Sequence, residues 1–236
     1  MARSRPPARF SQLRDAALAV FASKGLRRAR MADVAEAMGV ATGSLYNYVE
    51  SKEALFHWIV ELGPSAGPVA EPAVLPIPTP PPGATEKRLR AQLAEGMRLP
   101  TLEAALARRR VGDARSELEA IVREFYERVE STRGPGAAVE RSAIDQPELF
   151  DIYFRGARRE LFARFAQYVE KRAKGGHFSG VGSPVVAARF LVEAVVWFAR
   201  HRFADRDTEH LPDEASVREE TIRRVVASFI PARPRL

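Results

Sequence analysis

The hydrogen-bonding chemistry of this chain concentrates in twelve consecutive residues, Ala41 to Lys52, which read ATGSLYNYVESK. Thr42, Ser44, Tyr46, Asn47 and Tyr48 each offer a donor and an acceptor at positions where a purely structural helix would carry Leu, Ala, Glu and Lys. Gly43 costs a helix about 1 kcal/mol relative to Ala, and its expected compensation is close approach of the backbone to another surface. Lys52 follows Ser51 at the first turn of the next predicted helix. Free N–H groups, the positive helix end and an ammonium would converge there, an anion site suited to a DNA phosphate. The preceding segment, Met31 to Met38, predicts a second short helix, and Gly39-Val40 a turn. Together these form a helix-turn-helix whose second helix fits a major groove.

Other chemistries find little support. The four His stand at 57, 177, 201 and 210, and the chain has no Cys, which removes thiolate nucleophiles, disulfides and cysteine-ligated zinc. Glu53 and His57 share a helix face, but two possible ligands do not make a metal site. Gly180-Val181-Gly182-Ser183 lacks a third glycine and a preceding strand, so it predicts a turn between helices and no nucleotide loop. No nucleophile has a convincing base. The expectation is a non-enzyme without metal or cofactor.

Charge points the same way. The 236 residues carry a net +7, and residues 1–52 hold nine Lys/Arg against four Asp/Glu. Most of the basic excess therefore lies in the first quarter of the chain, beside the candidate reading residues, as an anionic partner requires. The longest apolar stretch, Val185 to Ala199, is interrupted by Arg189 and Glu193. As a helix it spans roughly 22 Å against the ~30 Å of a hydrocarbon core, so it predicts a buried helix and no membrane span. With no secretory signal behind the basic, proline-bearing start, a cytoplasmic protein is expected.

The elements that must position these residues read as helices throughout. Phe10, Leu13, Ala17, Val20 and Phe21 recur at helical spacing, with Gly25 as a stop. Ser51 is a plausible N-cap for a helix running through Leu55, Ile59 and Leu62. Residues 63–83 hold eight of the 17 prolines and cannot form a regular helix. They read equally as a linker or, through Val74, Leu75 and Ile77, as a packed extended segment. Helical periodicity returns near 85–97, 101–109, 113–132, 147–174, 184–203 and 213–230, with turns expected at Gly134-Pro135-Gly136 and Gly175-Gly176. No alternating pattern predicts a sheet. The fold class is all-α, divided as a flexible basic arm (1–9), a helix-turn-helix domain (10–56), a connecting helix with the Pro-rich segment (57–83) and a helical domain (84–236).

Val185 to Ala199 is apolar at 13 of 15 positions and must be covered on nearly every side. The last helix places Ile222, Val225, Val226 and Phe229 on one broad face. Pairing both helices with those of a second copy, through Val195, Phe198, Ile222, Val225, Val226 and Phe229, would cover them as a two-fold four-helix bundle. Packing within one chain is the other reading.

Leu13 through Phe56 resembles the DNA-binding domain of the TetR family of bacterial transcriptional regulators. The resemblance is carried by Ala16-Ala17, Phe21, Gly25, Val34-Ala35, Met38-Gly39-Val40, Gly43-Ser44-Leu45-Tyr46 and Ser51-Lys52-Glu53-Ala54-Leu55. It covers about a fifth of the chain, and the stretch from Val185 to Arg202 is similar to the penultimate helix of many members. The resemblance implies that Thr42 and Asn47 face base edges and that Gly43 lets the backbone approach. It implies that Ser44, Tyr46, Tyr48 and Lys52 hold phosphates. Arg30 stands where members place a capping Thr, losing a cap but adding a cation near the DNA backbone; Ala41 replaces a capping Ser, and Tyr48 a frequent His. Arg27 and Arg28 could add phosphate contacts or be solvated.

The resemblance further implies a homodimer on a roughly palindromic double-stranded DNA operator, acting as a repressor under a small-molecule effector. Met97, Phe125, Tyr126, Tyr153, Phe154 and Trp197 are the candidate effector contacts, with core packing as the alternative. A DNA-bound adaptor acting through a protein partner without an effector is the rival, and exposed apolar clusters on helices 85–132 would favour it.

Overall fold

A computed structural model describes residues 7–64, 67–205, 207 and 210–230 of the chain. Among the described residues the regular structure is helical: α1 (Pro7–Arg28), α2 (Met31–Ala37), α3 (Thr42–Leu45), α4 (Lys52–Leu62), α5 (Ala84–Gly96) and α6 (Pro100–Ala107). There follow α7 (Ala114–Ser131), α8 (Arg133–Ile144), α9 (Pro147–Phe150), a π-helical segment (Asp151–Arg158), α10 (Arg159–Lys174), α11 (Pro184–Ala199), a 3₁₀ turn (His201–Ala204) and α12 (Glu214–Phe229). The fold is all-α. No helix among the described residues is long and apolar enough to cross a membrane. Most of the expected arm, residues 1–6, lies outside the described residues, and α1 already begins at Pro7.

The chain forms two compact units, and the first is wider than the 10–56 span expected for the head. It comprises the residues up to Glu95 together with Thr132–Gly156. Phe10, Leu13, Ala17 and Phe21 of α1 are fully buried with Leu45, Val49, Leu55 and Phe56. Phe21 meets Phe56 edge-on at 5.3 Å, and Phe10 meets Trp58 at 6.4 Å. Such aromatic pairs add fixed geometry to apolar burial.

Helix α8 corrects the sequence reading. Gly134-Pro135-Gly136, expected to be a turn, lies inside it. In the first helical turn Pro135 forfeits no hydrogen bond, and the Gly136 N–H donates to Thr132 O at 2.8 Å. The reward is packing against α1: a side chain at Gly134 would meet Leu18 at 3.3 Å. Gly25 adopts φ 72°, breaking α1 as the sequence suggests, and a Cβ there would come within 3.0 Å of Arg141 O. The break frees the Leu26 N–H, which donates to the buried Ser142 Oγ at 3.0 Å.

The second unit comprises Gly96–Ser131 and Ala157 onward. Its core is built from Leu102, Leu118, Ile121, Phe125, Phe165, Leu191, Val195, Val225 and Phe229, among others. Asp113 and Asp213 cap α7 and α12, each accepting backbone N–H groups and the hydroxyl of the Ser three residues on. The Ser116 and Ser216 hydroxyls are the main cause holding the two carboxyls below their usual range.

Inside this core lies an ion pair. Arg172, 1% exposed, donates from Nε to Glu117 Oε1 at 2.7 Å and from Nη2 to Ala105 O at 2.7 Å. Tyr168 donates to the same carboxylate oxygen at 3.1 Å, and burial foremost pushes its hydroxyl well above the ordinary tyrosine range. Lys171 donates to Leu106 O and Arg108 O, so consecutive basic residues of α10 satisfy the carbonyls ending α6. Glu117→Ala would leave Arg172 charged and unpaired in the core, costing about 3–5 kcal/mol. Replacing both partners, Glu117→Leu with Arg172→Met, should recover most of that loss in urea unfolding. A single-variant loss below about 1 kcal/mol would contradict the pairing.

Candidate nucleic-acid interface

The candidate reading residues sit on an element too short to stabilise itself, so its supports come first. α2 is anchored by the buried Met31, Val34 and Ala35. Arg30 precedes it with no side chain able to accept, and Asp33 compensates. Its Oδ2 accepts the Arg30 N–H at 2.9 Å while its Oδ1 pairs with Lys24 at 2.8 Å. Hydrogen bonding from Lys24, then from the Arg30 N–H, holds the Asp33 carboxyl below its usual range. The sequence reading missed this residue, although an acid three positions past an uncapped start is a readable signal.

Helix α2 ends as its glycine dictates. Gly39 takes φ 65°, its N–H donates to Glu36 O at 3.0 Å, and the Val40 N–H reaches Ala35 O at 3.0 Å. This double closure reverses the chain and requires a residue tolerant of positive φ. α3 then runs for four residues, and the following turn is closed by Tyr48 N–H to Leu45 O at 2.9 Å. Leu45 and Val49 are wholly buried and fix its inner side. Ser51 caps α4, accepting the Ala54 N–H at 3.0 Å as the sequence suggests.

With Leu45 and Val49 inside, the other side chains face outward. Arg30, Thr42, Gly43, Ser44, Tyr46 and Asn47 are exposed, Tyr46 at 48%. Beyond its own helix and chain neighbours, nothing among the described residues lies within 4 Å of a Cβ built on Gly43, and its φ is not positive. The protein's own packing thus gives no reason for glycine at this place.

Three candidates are partly engaged. Tyr48 is half-buried, with its ring edge-on to Phe10 at 5.8 Å. Lys52 donates from Nζ to Arg27 O at 3.1 Å and Ala29 O at 3.4 Å, tying the end of α1 to the start of α4. An ammonium has three donors, so one remains. Arg28 pairs with Asp145 at 2.8 Å, whereas Arg27 is exposed. His57 bonds Thr85 Oγ1 at 3.1 Å and lies 3.5 Å from Glu61; no group of metal-binding residues occurs among the described residues.

The other candidates are distributed differently from the sequence reading. Val195, Ile222, Val225, Val226 and Phe229 belong to the core of a single chain, with Phe198 partly buried against it. They are not free to form a dimer face, because α12 turns its apolar side toward α7 and α11 of its own unit. What stays uncovered is the opposite side of α11: Val185, Val186 at 67%, Phe190 at 54% and Trp197 at 38%. Trp197 therefore faces outward and is withdrawn as an enclosed contact. Of the remaining effector candidates, Phe125 and Tyr126 are buried in the second unit and Met97 is half-buried there. Tyr153 and Phe154 belong to the first unit, on the π-helical segment, with their rings 4.9 Å apart.

Residues 13–59 match the model of the bacterial regulatory proteins of the tetR family. The chain is 43% identical over 47 residues to the HTH-type transcriptional repressor KstR2 of Rhodococcus jostii (strain RHA1). That match spans 20% of this chain and 23% of the curated relative's length. Two solved structures share the fold over most of their length. The ketosteroid transcriptional regulator KstR2 of Mycobacterium tuberculosis has a TM-score of 0.57 at 14% identity, with 96% of each chain covered. A tetR-family regulatory protein from Rhodococcus RHA1 has a TM-score of 0.53 at 18% identity, with 98% of this chain and 100% of that one covered. Residues 13–59 thus carry a segment similar to that of the bacterial regulatory proteins of the tetR family, and over the whole chain the solved structures share its fold.

Proposed function

We propose that this chain is a sequence-specific transcriptional regulator that binds double-stranded DNA as a homodimer and acts as a repressor. The observation that carries the reading is the outward face of α3. Thr42, Gly43, Ser44, Tyr46 and Asn47 are all exposed on a turn whose Leu45 and Val49 are fully buried. In this reading Thr42 and Asn47 meet base edges. Ser44, Tyr46, Tyr48, Arg30 and the remaining donor of Lys52 meet phosphates, which set register without reading sequence.

The dimer is assigned to the uncovered side of α11. Val186, Phe190 and Trp197 lie four and seven residues apart, which places them on one helical face. A row of this kind is costly to leave in water, and a second copy covers it by two-fold pairing. The effector is a small molecule taken by the second unit, with Met97, Phe125 and Tyr126 as its candidate contacts; Tyr153 and Phe154 lie in the first unit and are not counted with them. The adaptor alternative would need exposed apolar clusters on residues 85–132, whereas among the described residues the large exposed apolar side chains fall elsewhere.

Selection of duplexes by the full chain from a random pool tests the reading. Thr42→Ala or Asn47→Ala should change the recovered sequence more than the overall affinity, and recovery of the parental operator would contradict base contact. Lys52→Ala should weaken all duplexes alike and flatten the salt slope by about one unit; an unchanged slope would remove Lys52 from the phosphate contacts. Gly43→Ala should leave thermal stability unchanged or raise it by up to about 1 kcal/mol while lowering operator affinity; unimpaired binding would contradict close approach. Phe190→Glu should sediment as a folded monomer with poor operator affinity, and a persistent dimer would move the interface elsewhere.

A further inference from the structure

Between α4 and α5 the Pro-rich segment leaves the head and returns to it, making specific contacts at both ends. At one end Arg14, itself buried, donates to Gly67 O at 2.6 Å, and the Val69 N–H donates to Ser11 Oγ at 3.1 Å. At the other end Ile77 pairs with the chain just past α3 as an isolated parallel bridge to Val49. The Ile77 N–H donates to Tyr48 O at 2.8 Å, and the Glu50 N–H donates to Ile77 O at 3.0 Å. Two residues on, the Thr79 N–H donates to Glu50 Oε2 at 2.7 Å, and the Thr79 and Ser51 hydroxyls are 2.8 Å apart. Ile77 and Val69 are buried in the head, while Val74 between them is exposed.

We infer that residues 67–79 are a strap that sets the orientation of the reading turn, with Ile77 and Thr79 as positioning residues for DNA recognition. The inference rests on the DNA-reading role proposed above. α3 comprises one turn, and a single turn has no stability of its own in water. Leu45 and Val49 fix where it sits on the core, but they leave the backbone of Tyr48 and Glu50 with open hydrogen-bonding groups. The strap fills those groups from outside the helix-turn-helix. It also occupies one carboxylate oxygen of Glu50, an acid between Tyr48 and Lys52 that would otherwise be free to repel a phosphate. Proline makes such a strap inexpensive to order, because it restricts the unfolded chain and presents few N–H groups needing partners. The N–H groups of Val69, Ile77 and Thr79 each find an acceptor.

Base reading depends on the angle of the turn far more than phosphate contact does, so loss of the strap should reduce selectivity before it reduces general affinity. Two measurements on the full-length chain test this. Amide hydrogen exchange on the DNA-free protein should find the Ile77 and Glu50 N–H groups protected by about a hundredfold or more over an open amide. Unprotected amides would overturn the strap without reference to DNA. Replacing residues 70–79 by an equal-length Gly/Ser run should weaken the selected operator on the order of tenfold, as expected if the reading-competent population falls to a tenth. A random duplex should weaken by less than about threefold.

Should that replacement not fold, Thr79→Val gives the same comparison with about a fivefold loss, restored by Thr79→Ser. Equal loss on operator and random duplex, or operator binding within twofold of the parent, would overturn the positioning role alone. A parent chain that selects no duplex would overturn the DNA reading, and the positioning role with it.

Discussion

A helix of one turn forms too few internal hydrogen bonds to repay the ordering of its backbone, and α3 is such a helix. Every property claimed for the candidate interface depends on what holds those four residues from outside. Two side chains, Leu45 and Val49, are driven into the head core and carry the apolar share. The turn at Gly39 delivers the chain to α3, and the capped start of α4 carries it away. Because the inner positions are committed to the core, Thr42, Ser44, Tyr46 and Asn47 have nowhere to point except outward. Exposure of the candidate reading residues thus follows from burial of their neighbours.

The same economy governs the wider head. Where α1 breaks at Gly25 its loose backbone groups are met by α8 and by Lys52. Lys52, expected at a DNA phosphate, thus ties the end of α1 to the start of α4. In the second unit Arg172 and Lys171 perform the corresponding task for the end of α6. The carbonyls at the ends of α1 and α6 are met by residues distant in sequence, whereas the starts of α2, α4, α7 and α12 are capped by near neighbours.

Much of the head was legible in the sequence because its signals are local. The period of Phe10, Leu13, Ala17 and Phe21 marks α1, Gly39 marks a reversal, and Ser51 marks a start. Long-range pairings leave no such trace. Val74, Leu75 and Ile77 offered a packed extended segment as one of two readings, but three apolar residues among prolines have no period. Ile77, buried, could therefore not be told from Val74, exposed, until its partners Tyr48 and Glu50 were seen. Gly134-Pro135-Gly136 has the composition of a turn, yet in α8 it is kept helical by packing on α1. The apolar stripes of α11 and α12 were visible, but which side of each faces inward is a property of rotation about the helix axis. That rotation is fixed only when α7, α11 and α12 pack, and it places Val225 and Phe229 inside and Phe190 outside.

The most direct test of the account is residue-resolved: amide chemical shifts of the full-length chain recorded while duplex DNA is added. Binding through the outward side of α3 should move the signals of Thr42, Gly43, Ser44, Tyr46 and Asn47 first and furthest, with Arg30 and Lys52 following. Core amides such as those of Leu118 and Leu191 should stay in place. Shifts centred elsewhere on the chain, with α3 unmoved at saturation, would contradict it.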